Sequence, residues 1–418
     1  MKWHKRWFIR IPMYIIGAVI LFVAGFALFI NFRGIPYYSV KTVSMKVDYT
    51  PTRFERGKKL VHLLCADCHL DQQTGRLTGK EIIDMPKQFG RAWSRNITQD
   101  PTYGIGAWSD GDIAYLLRTG IKKNGQYVPP WMVKLPGASD EDVYSIITFL
   151  RSDDSLVKAM PVHDRDGEPA WLTKFLCFVA FKPFDYPDHA IAAPDTNDKV
   201  AYGRYLANDV VHCYSCHSAD FKTNDELHPE HFAGFFGGGN AMPDADGNII
   251  YTANITMDPT NGIGKWTESQ FIRAVREDFD PNNKVLQYPM SPYPDLTTDD
   301  ASAIYAYLKT IPALPHAVDR SNSVMLASNA GAGATIYHKY SCNSCHGESG
   351  AGVCDLRQGF VKYPSDSALT AWIKNPAKSV PDSKMPAWEG VIQESEFTTL
   401  CAYVRELGRR SSNIAMTK

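Results

Sequence analysis

The stretch Val210–Asp220, VVHCYSCHSAD, sets two cysteines between two histidines, His212 and His217. A zinc site, a redox dithiol and a covalent haem anchor all use such a set, and recurrence separates them. Cys65-Ala-Asp-Cys68-His69 and Cys342-Asn-Ser-Cys345-His346 repeat the Cys-x-x-Cys-His pattern of Cys213, Cys216 and His217, the signature of c-type haem attachment. Two thiols three positions apart can each form a thioether to one haem vinyl group, and the adjacent histidine then reaches the iron. Structural zinc takes four ligands, into which three such motifs do not divide evenly. A dithiol has no need of a histidine after every second cysteine. The expected cofactors are three covalently bound haem c groups. Their anchors are Cys65, Cys68, Cys213, Cys216, Cys342 and Cys345, with His69, His217 and His346 on the irons.

The motifs lie 148 and 129 residues apart in a chain of 418 residues, a spacing that fits modules of ordinary domain size. The composition is globular, 44% hydrophobic and 21% charged, and a net charge of −1 favours no nucleic-acid partner. The first 33 residues stand apart. Behind Lys2, Lys5, Arg6 and Arg10 runs an uncharged stretch, Ile11–Phe32, long enough to cross a bilayer of about 30 Å. The basic residues place the N-terminus in the cytoplasm and everything after Arg33 in the periplasm. A cleaved secretory leader is the competing reading; its apolar region would be unusually long. The expectation is a single-pass anchor in the inner membrane.

An internal repeat extends the haem reading. NITQDPTYGIGAWS (Asn96–Ser109) matches NITMDPTNGIGKWT (Asn254–Thr267). Arg118 and Arg276 fall at equal offsets within the two copies, and so do Met132 and Met290, each 36 residues after its asparagine. Both methionines sit in proline-rich loops, which are stiff at φ, and Met385 in DSKMPAWEG takes the same place in the third module. Met132, Met290 and Met385 are therefore expected as sixth iron ligands. His/Met ligation raises the potential and leaves no open position, as electron transfer requires. Met85, Met160, Met242 and Met257 are read as packing residues, and His62, His212 and His338 as helix-surface histidines. Trp108, Trp266, Arg118 and Arg276 are candidate haem-wall or propionate partners. FFGGGN (Phe235–Asn240) lacks the ending of a phosphate loop and reads as a tight turn.

Helices are expected over Thr52–Leu64, Asp198–His212 and Ser328–Ser341 ahead of the motifs. Others are expected after the methionines, over Ser139–Arg151, Thr297–Thr310 and Glu394–Gly408, with Ser139 and Thr297 as N-caps. This gives a mainly α chain: an anchor over 1–33, three tandem class I cytochrome c-like domains over 50–152, 195–312 and 327–410, and a linker over 153–194. That linker carries the apolar segment Trp171–Phe184, too short to span a bilayer and expected to pack on the modules or a partner; membrane contact there is the other reading. A second connector is expected near Pro312–Ser328. Cys354 and Cys401 are read either as a disulfide of the third module or as two buried thiols.

Over roughly Arg53–Gly408, with the duplicated NIT…DP…GIG…W block as its strongest part, the chain resembles the membrane-bound trihaem cytochrome c subunits of periplasmic alcohol, aldehyde and gluconate dehydrogenases. The third module, IKNPAKSVPDSKMPAW, is closer to a generic single-haem cytochrome c. The resemblance implies a redox partner, either a dehydrogenase subunit or a respiratory complex or oxidase, with membrane quinone as an acceptor. The expected role is non-catalytic electron relay. The competing class is a catalytic haem protein such as a peroxidase, which needs one iron without a strong sixth ligand.

Overall fold

The computed structural model describes residues 3–83, 85–221, 225–232, 234–244, 248–286, 288–318, 331–350, 352, 354–356, 362–381 and 383–416. From position 319 onward the expected second connector, with the start of the helix expected over Ser328–Ser341, lies outside the described residues.

The chain is mainly helical. An N-terminal helix α1 (Trp3–Arg33) precedes α2 (Pro51–Leu64), α3 (Ala66–His69), α4 (Asp110–Thr119), α5 (Asp140–Leu150), α6 (Trp171–Val179) and α7 (Lys199–Arg204). Then follow α8 (Cys213–His217), α9 (Glu268–Glu277), α10 (Thr298–Leu308), α11 (Ala332–Lys339), α12 (Cys342–His346), α13 (Asp366–Lys374) and α14 (Glu394–Met416). Two small antiparallel pairs complete it, β1 (Gly90–Arg91) with β2 (Glu168–Pro169), and β3 (Ala241–Pro243) with β4 (Ile249–Tyr251).

One arrangement is built three times. The helix ahead of each Cys-x-x-Cys-His turn crosses the helix behind each methionine: α2 on α5, α7 on α10, α11 on α14. A glycine marks each crossing. A Cβ on Gly57 would lie 1.9 Å from the Ser145 carbonyl oxygen, one on Gly203 1.9 Å from that of Ala303, and one on Gly333 2.5 Å from Tyr403 Cβ. Backbones approach this closely only where one partner has no side chain.

The helix expected over Asp198–His212 is interrupted: after α7 the chain makes a π-helical turn, Tyr205–Val210. Gly203 lies 10 residues before Cys213, where Gly57 lies 8 before Cys65, and the wider turn takes up the longer segment. The expected N-caps form. Ser139 Oγ and Thr297 Oγ1 accept from the backbone N–H of Asp142 and Asp300, and Asp300 returns the bond to Thr297.

The first two repeats share one continuous core, in which Leu60, Ile147, Phe149, Leu206, Phe236 and Ile304 meet. The third has its own, around Tyr337, Trp388, Phe397 and Leu400, yet that core is completed by Phe279 from the second repeat, fully buried with its ring centroid 5.0 Å from that of Trp388.

Candidate functional site

Each Cys-x-x-Cys-His motif forms a single helical turn, so its histidine follows the two thiols on one short rigid element. The three histidines are then held alike. His69 Nδ1 lies 2.7 Å from the Arg95 carbonyl, His217 Nδ1 2.8 Å from that of Ala253, and His346 Nδ1 2.6 Å from that of Cys354. A carbonyl only accepts, so Nδ1 carries the proton and Nε2 keeps the lone pair for a metal. Burial also holds His69 and His346 below the ordinary imidazole value, which keeps them neutral.

The Asn-Ile-Thr block explains how those carbonyls are placed. Asn96 Oδ1 accepts from the Thr98 N–H and hydroxyl, and its amide donates to the carbonyls of Met160 and Val162. Asn254 repeats this with Thr256 and the carbonyls of Leu314 and His316. Each asparagine thus ties the chain beyond the C-terminal helix to the residue just after the histidine's acceptor.

The second motif opens on a cleft of about 710 Å³ whose lining includes Cys213, Cys216, His217, Trp266 and Met290. The third opens on a cleft of about 550 Å³ with Cys342, Cys345, His346 and Met385 on its wall. Both volumes are in the range of cofactor pockets. In the first unit Cys65, Trp108 and Met132 all pack partly buried against the shared core. Histidines whose Nδ1 faces a backbone carbonyl, paired thiols and apolar walls fit haem c. The anchoring thiols are no zinc cage, since among the described residues no three of His, Cys, Asp and Glu converge on one point. Burial instead pushes Cys65, Cys213, Cys342 and Cys345 up to about 12, so they stay protonated rather than becoming reactive thiolates.

The methionine loops reach beyond their own units. Val133, next to Met132, lines the second cleft, and Pro292 and Pro294, just after Met290, line the third. The sites therefore adjoin in chain order.

Several residues have other positions than their sequence pattern suggests. Arg118 is almost fully buried, and its guanidinium donates to the carbonyls of Leu135, Pro136 and Ala138 and pairs with Asp140 at 2.7 Å. Arg276 likewise donates to the Leu296 carbonyl. These arginines clamp the loop behind each methionine, and Arg276 also lines the third cleft. Trp266 lines its cleft as expected. Met242, read as packing, lines the same cleft as Met290.

His62 is not a surface histidine: its Nδ1 lies 3.5 Å from Asp295 of the second unit. His212 is buried too, in the left-handed region at φ 58°, on the wall of the second cleft. His338 does lie near the surface, paired with Glu348 at 3.0 Å. Cys354 and Cys401 are both thiols; Cys354 faces the third cleft while Cys401 is buried with Thr370 Oγ1 at 3.3 Å.

Comparison with known proteins agrees with this chemistry. Residues 328–404 match the family described as cytochrome c oxidase, cbb3-type, subunit III. Over 316 residues the chain is 28% identical to the cytochrome c subunit of alcohol dehydrogenase (quinone) from Gluconacetobacter polyoxogenes, covering 70% of this chain and 64% of the relative. The fructose dehydrogenase cytochrome subunit of Gluconobacter japonicus is 28% identical over 341 residues, 72% of this chain and 64% of the relative. The gluconate 2-dehydrogenase cytochrome c subunit of Pantoea cypripedii is 28% identical over 326 residues, 72% and 70%. The chain thus spans a little under two thirds of the length of the first of these relatives. Its motifs, its histidine geometry and these likenesses, to cytochrome c subunits of dehydrogenases and to a cbb3-type cytochrome domain, together support a cytochrome c subunit family for the chain.

Proposed function

We propose that the chain is a membrane-anchored trihaem c-type cytochrome that relays electrons on the periplasmic side as the electron-transfer subunit of a dehydrogenase complex. The observation that carries this reading is the threefold repetition of one ligand set, with the methionine loop of each duplicated unit forming a wall of the next cleft. Bound haem c supplies a one-electron iron couple at each site, with His/Met ligation closing the iron to substrate. The residues of the chain do the rest. Cys65, Cys68, Cys213, Cys216, Cys342 and Cys345 anchor; His69, His217 and His346 present Nε2; Met132, Met290 and Met385 offer a thioether. Arg118 and Arg276 hold the methionine loops in place.

The anchor reading is supported by Pro12–Arg33, the one helix among the described residues long and apolar enough to cross a membrane, with Lys2, Lys5, Arg6 and Arg10 ahead of it against Arg33 alone in its last turn. The partner reading is supported by the relatives, which are cytochrome subunits of dehydrogenases.

Haem-to-protein stoichiometry on the purified chain, joined to a potentiometric titration, tests the proposal. Three haems per chain, three one-electron steps and no carbon monoxide binding by the reduced protein are expected. One or two haems would overturn the trihaem reading. A haem that binds carbon monoxide and turns over peroxide would replace relay with catalysis. Native purification in mild detergent should bring down a dehydrogenase subunit.

A further inference from the structure

The apolar segment between the first two units forms α6, and α6 packs against the C-terminal turns of α1. The Trp171 indole N–H donates to the Ala27 carbonyl at 3.2 Å, and the Phe175 and Phe178 rings meet those of Phe26 and Phe29 at 6.5 and 5.8 Å. The Lys174 ammonium reaches the Asn31 carbonyl at 3.4 Å. These contacts lie inside the stretch read as the membrane span.

Length leaves α6 little room outside the bilayer. Pro12–Arg33 has 22 residues, about 33 Å of helix against a hydrocarbon core of about 30 Å. Phe26 is about 10 Å from the end of that helix. Ending the span below Phe26 would leave about 21 Å, too short to cross. Sliding the helix the other way would carry Lys5, Arg6 and Arg10 into the hydrocarbon, at about 2.5–3.5 kcal/mol for each one brought to the centre.

The two faces of α6 match such a position. Thr173 and Cys177 are fully buried against the first unit, with Thr173 Oγ1 donating to the Phe89 carbonyl at 2.7 Å. On the other side Trp171 and Val179 are 42% and 50% exposed. A tryptophan that is half wet and lysines that can snorkel are what an interfacial helix carries. Both ends of the segment are bonded to the first unit: Ala170 N–H donates to the Phe89 carbonyl, Tyr127 hydroxyl to that of Lys182 and Phe184 N–H to that of Thr119.

We propose that α6 is a monotopic membrane helix, lying in the headgroup–acyl boundary of the periplasmic leaflet. It seats the first unit directly on the lipid surface, so the cytochrome has a fixed orientation and does not swing on a tether. The segment after α1 agrees with this, since it is laid along the same unit: Tyr38 N–H donates to the Gly125 carbonyl, Tyr127 N–H to that of Pro36, and Val47 N–H to Asp110 Oδ2 at 2.9 Å. The occupant of the exposed face is lipid, because that face continues the lipid-facing surface of α1.

This rests on the anchor reading, and the test separates the two. The full haem-loaded chain is reconstituted into phosphatidylcholine–phosphatidylglycerol vesicles, with a photoreactive benzophenone side chain at Val179 or, as control, at exposed Asp153. Lipid adducts at Val179 and none at Asp153 are expected by mass spectrometry. Acyl-chain quenchers should also reduce fluorescence of the unaltered chain more than that of Trp171→Phe. A chain that stays in vesicles with an intact haem spectrum, but gives no lipid adduct at Val179, overturns the proposal and spares the anchor. Adducts only to a co-purified protein would reassign the face to a partner. A chain that does not join vesicles at all overturns both.

Discussion

At the scale of single residues, comparing the two repeats exposes a misfit. Helix α4 ends on Gly120 at φ 78°, while the matching position after α9 is Asp278 at φ 71°. A left-handed aspartate is strained, and this one is also 3% exposed, with neither carboxylate oxygen hydrogen-bonded. Burial pushes its carboxyl up to about 8 from an ordinary 3.8. The unfolded chain therefore gives up this proton near pH 4 and the folded chain only near pH 8. Its contribution to stability is highest below pH 4, is lost as pH rises from 4 to 8, and is level above that. Asp278→Gly should raise the unfolding free energy at pH 8 by about one to a few kcal/mol, and with it the denaturant midpoint, and flatten the fall between pH 5 and 8. Denaturant titrations of the haem-loaded protein at the two pH values check both. The second cleft offers a further single-residue test, because Met242 and Met290 both line it. Met290→His should lower the potential of one haem, while Met242→Leu should leave all three steps of the redox titration in place.

At the scale of elements, the crossing glycines make the sharpest prediction. Gly203→Ala puts a Cβ 1.9 Å from a backbone oxygen of α10, which cannot yield as a flexible side chain would. The change should cost about 1–3 kcal/mol or more. Gly331→Ala, with open space around it, should be nearly neutral, and thermal melts of the two variants decide. These glycines also show where sequence reading stopped. Gly57, Gly203 and Gly333 lie 8, 10 and 9 residues before their motifs. That regularity was visible, yet a lone glycine in a helical pattern only weakens the helix assignment until its neighbour across the crossing is known. The Cys-x-x-Cys-His turns and the proline-flanked methionine loops were legible because their pattern is written in adjacent residues. The carbonyl behind each histidine and the arginine clamp were not, since they join segments 8 to 36 residues apart through backbone atoms that sequence does not distinguish. The π-turn before Cys213 escaped for the same reason: only the fixed position of the motif reveals that the preceding helix is too long.

At the scale of the whole molecule, the units are locked by charged groups and one aromatic ring. Arg56 on α2 makes a bidentate pair with Asp142 of α5, both contacts 2.7 Å, and Asp142 also accepts from Tyr205 of the second unit at 2.7 Å. Its counterpart Asp300 pairs with Lys59 and accepts from Tyr202 at 3.0 Å. Together with the common core these contacts make the first two repeats one body. The third is attached differently. Asp295 of the second unit pairs with Lys384, Gln72 of the first accepts from Ser349 N–H at 3.0 Å, and Phe279 enters the third core. Surface ion pairs are worth little, whereas deleting a fully buried phenylalanine costs about 3–5 kcal/mol. Most of the coupling is therefore carried by Phe279, a residue of the second repeat that belongs to no core but the third. Phe279→Ala should leave the first two repeats as they are and loosen the third alone. Segment-resolved hydrogen exchange reads this directly: amide protection should fall steeply in α11 and in α14 around Leu400, and stay unchanged in α2 and α5. An equal fall in all four helices would mean that the three units unfold as a single body and that the core shared by the first two does not stand on its own.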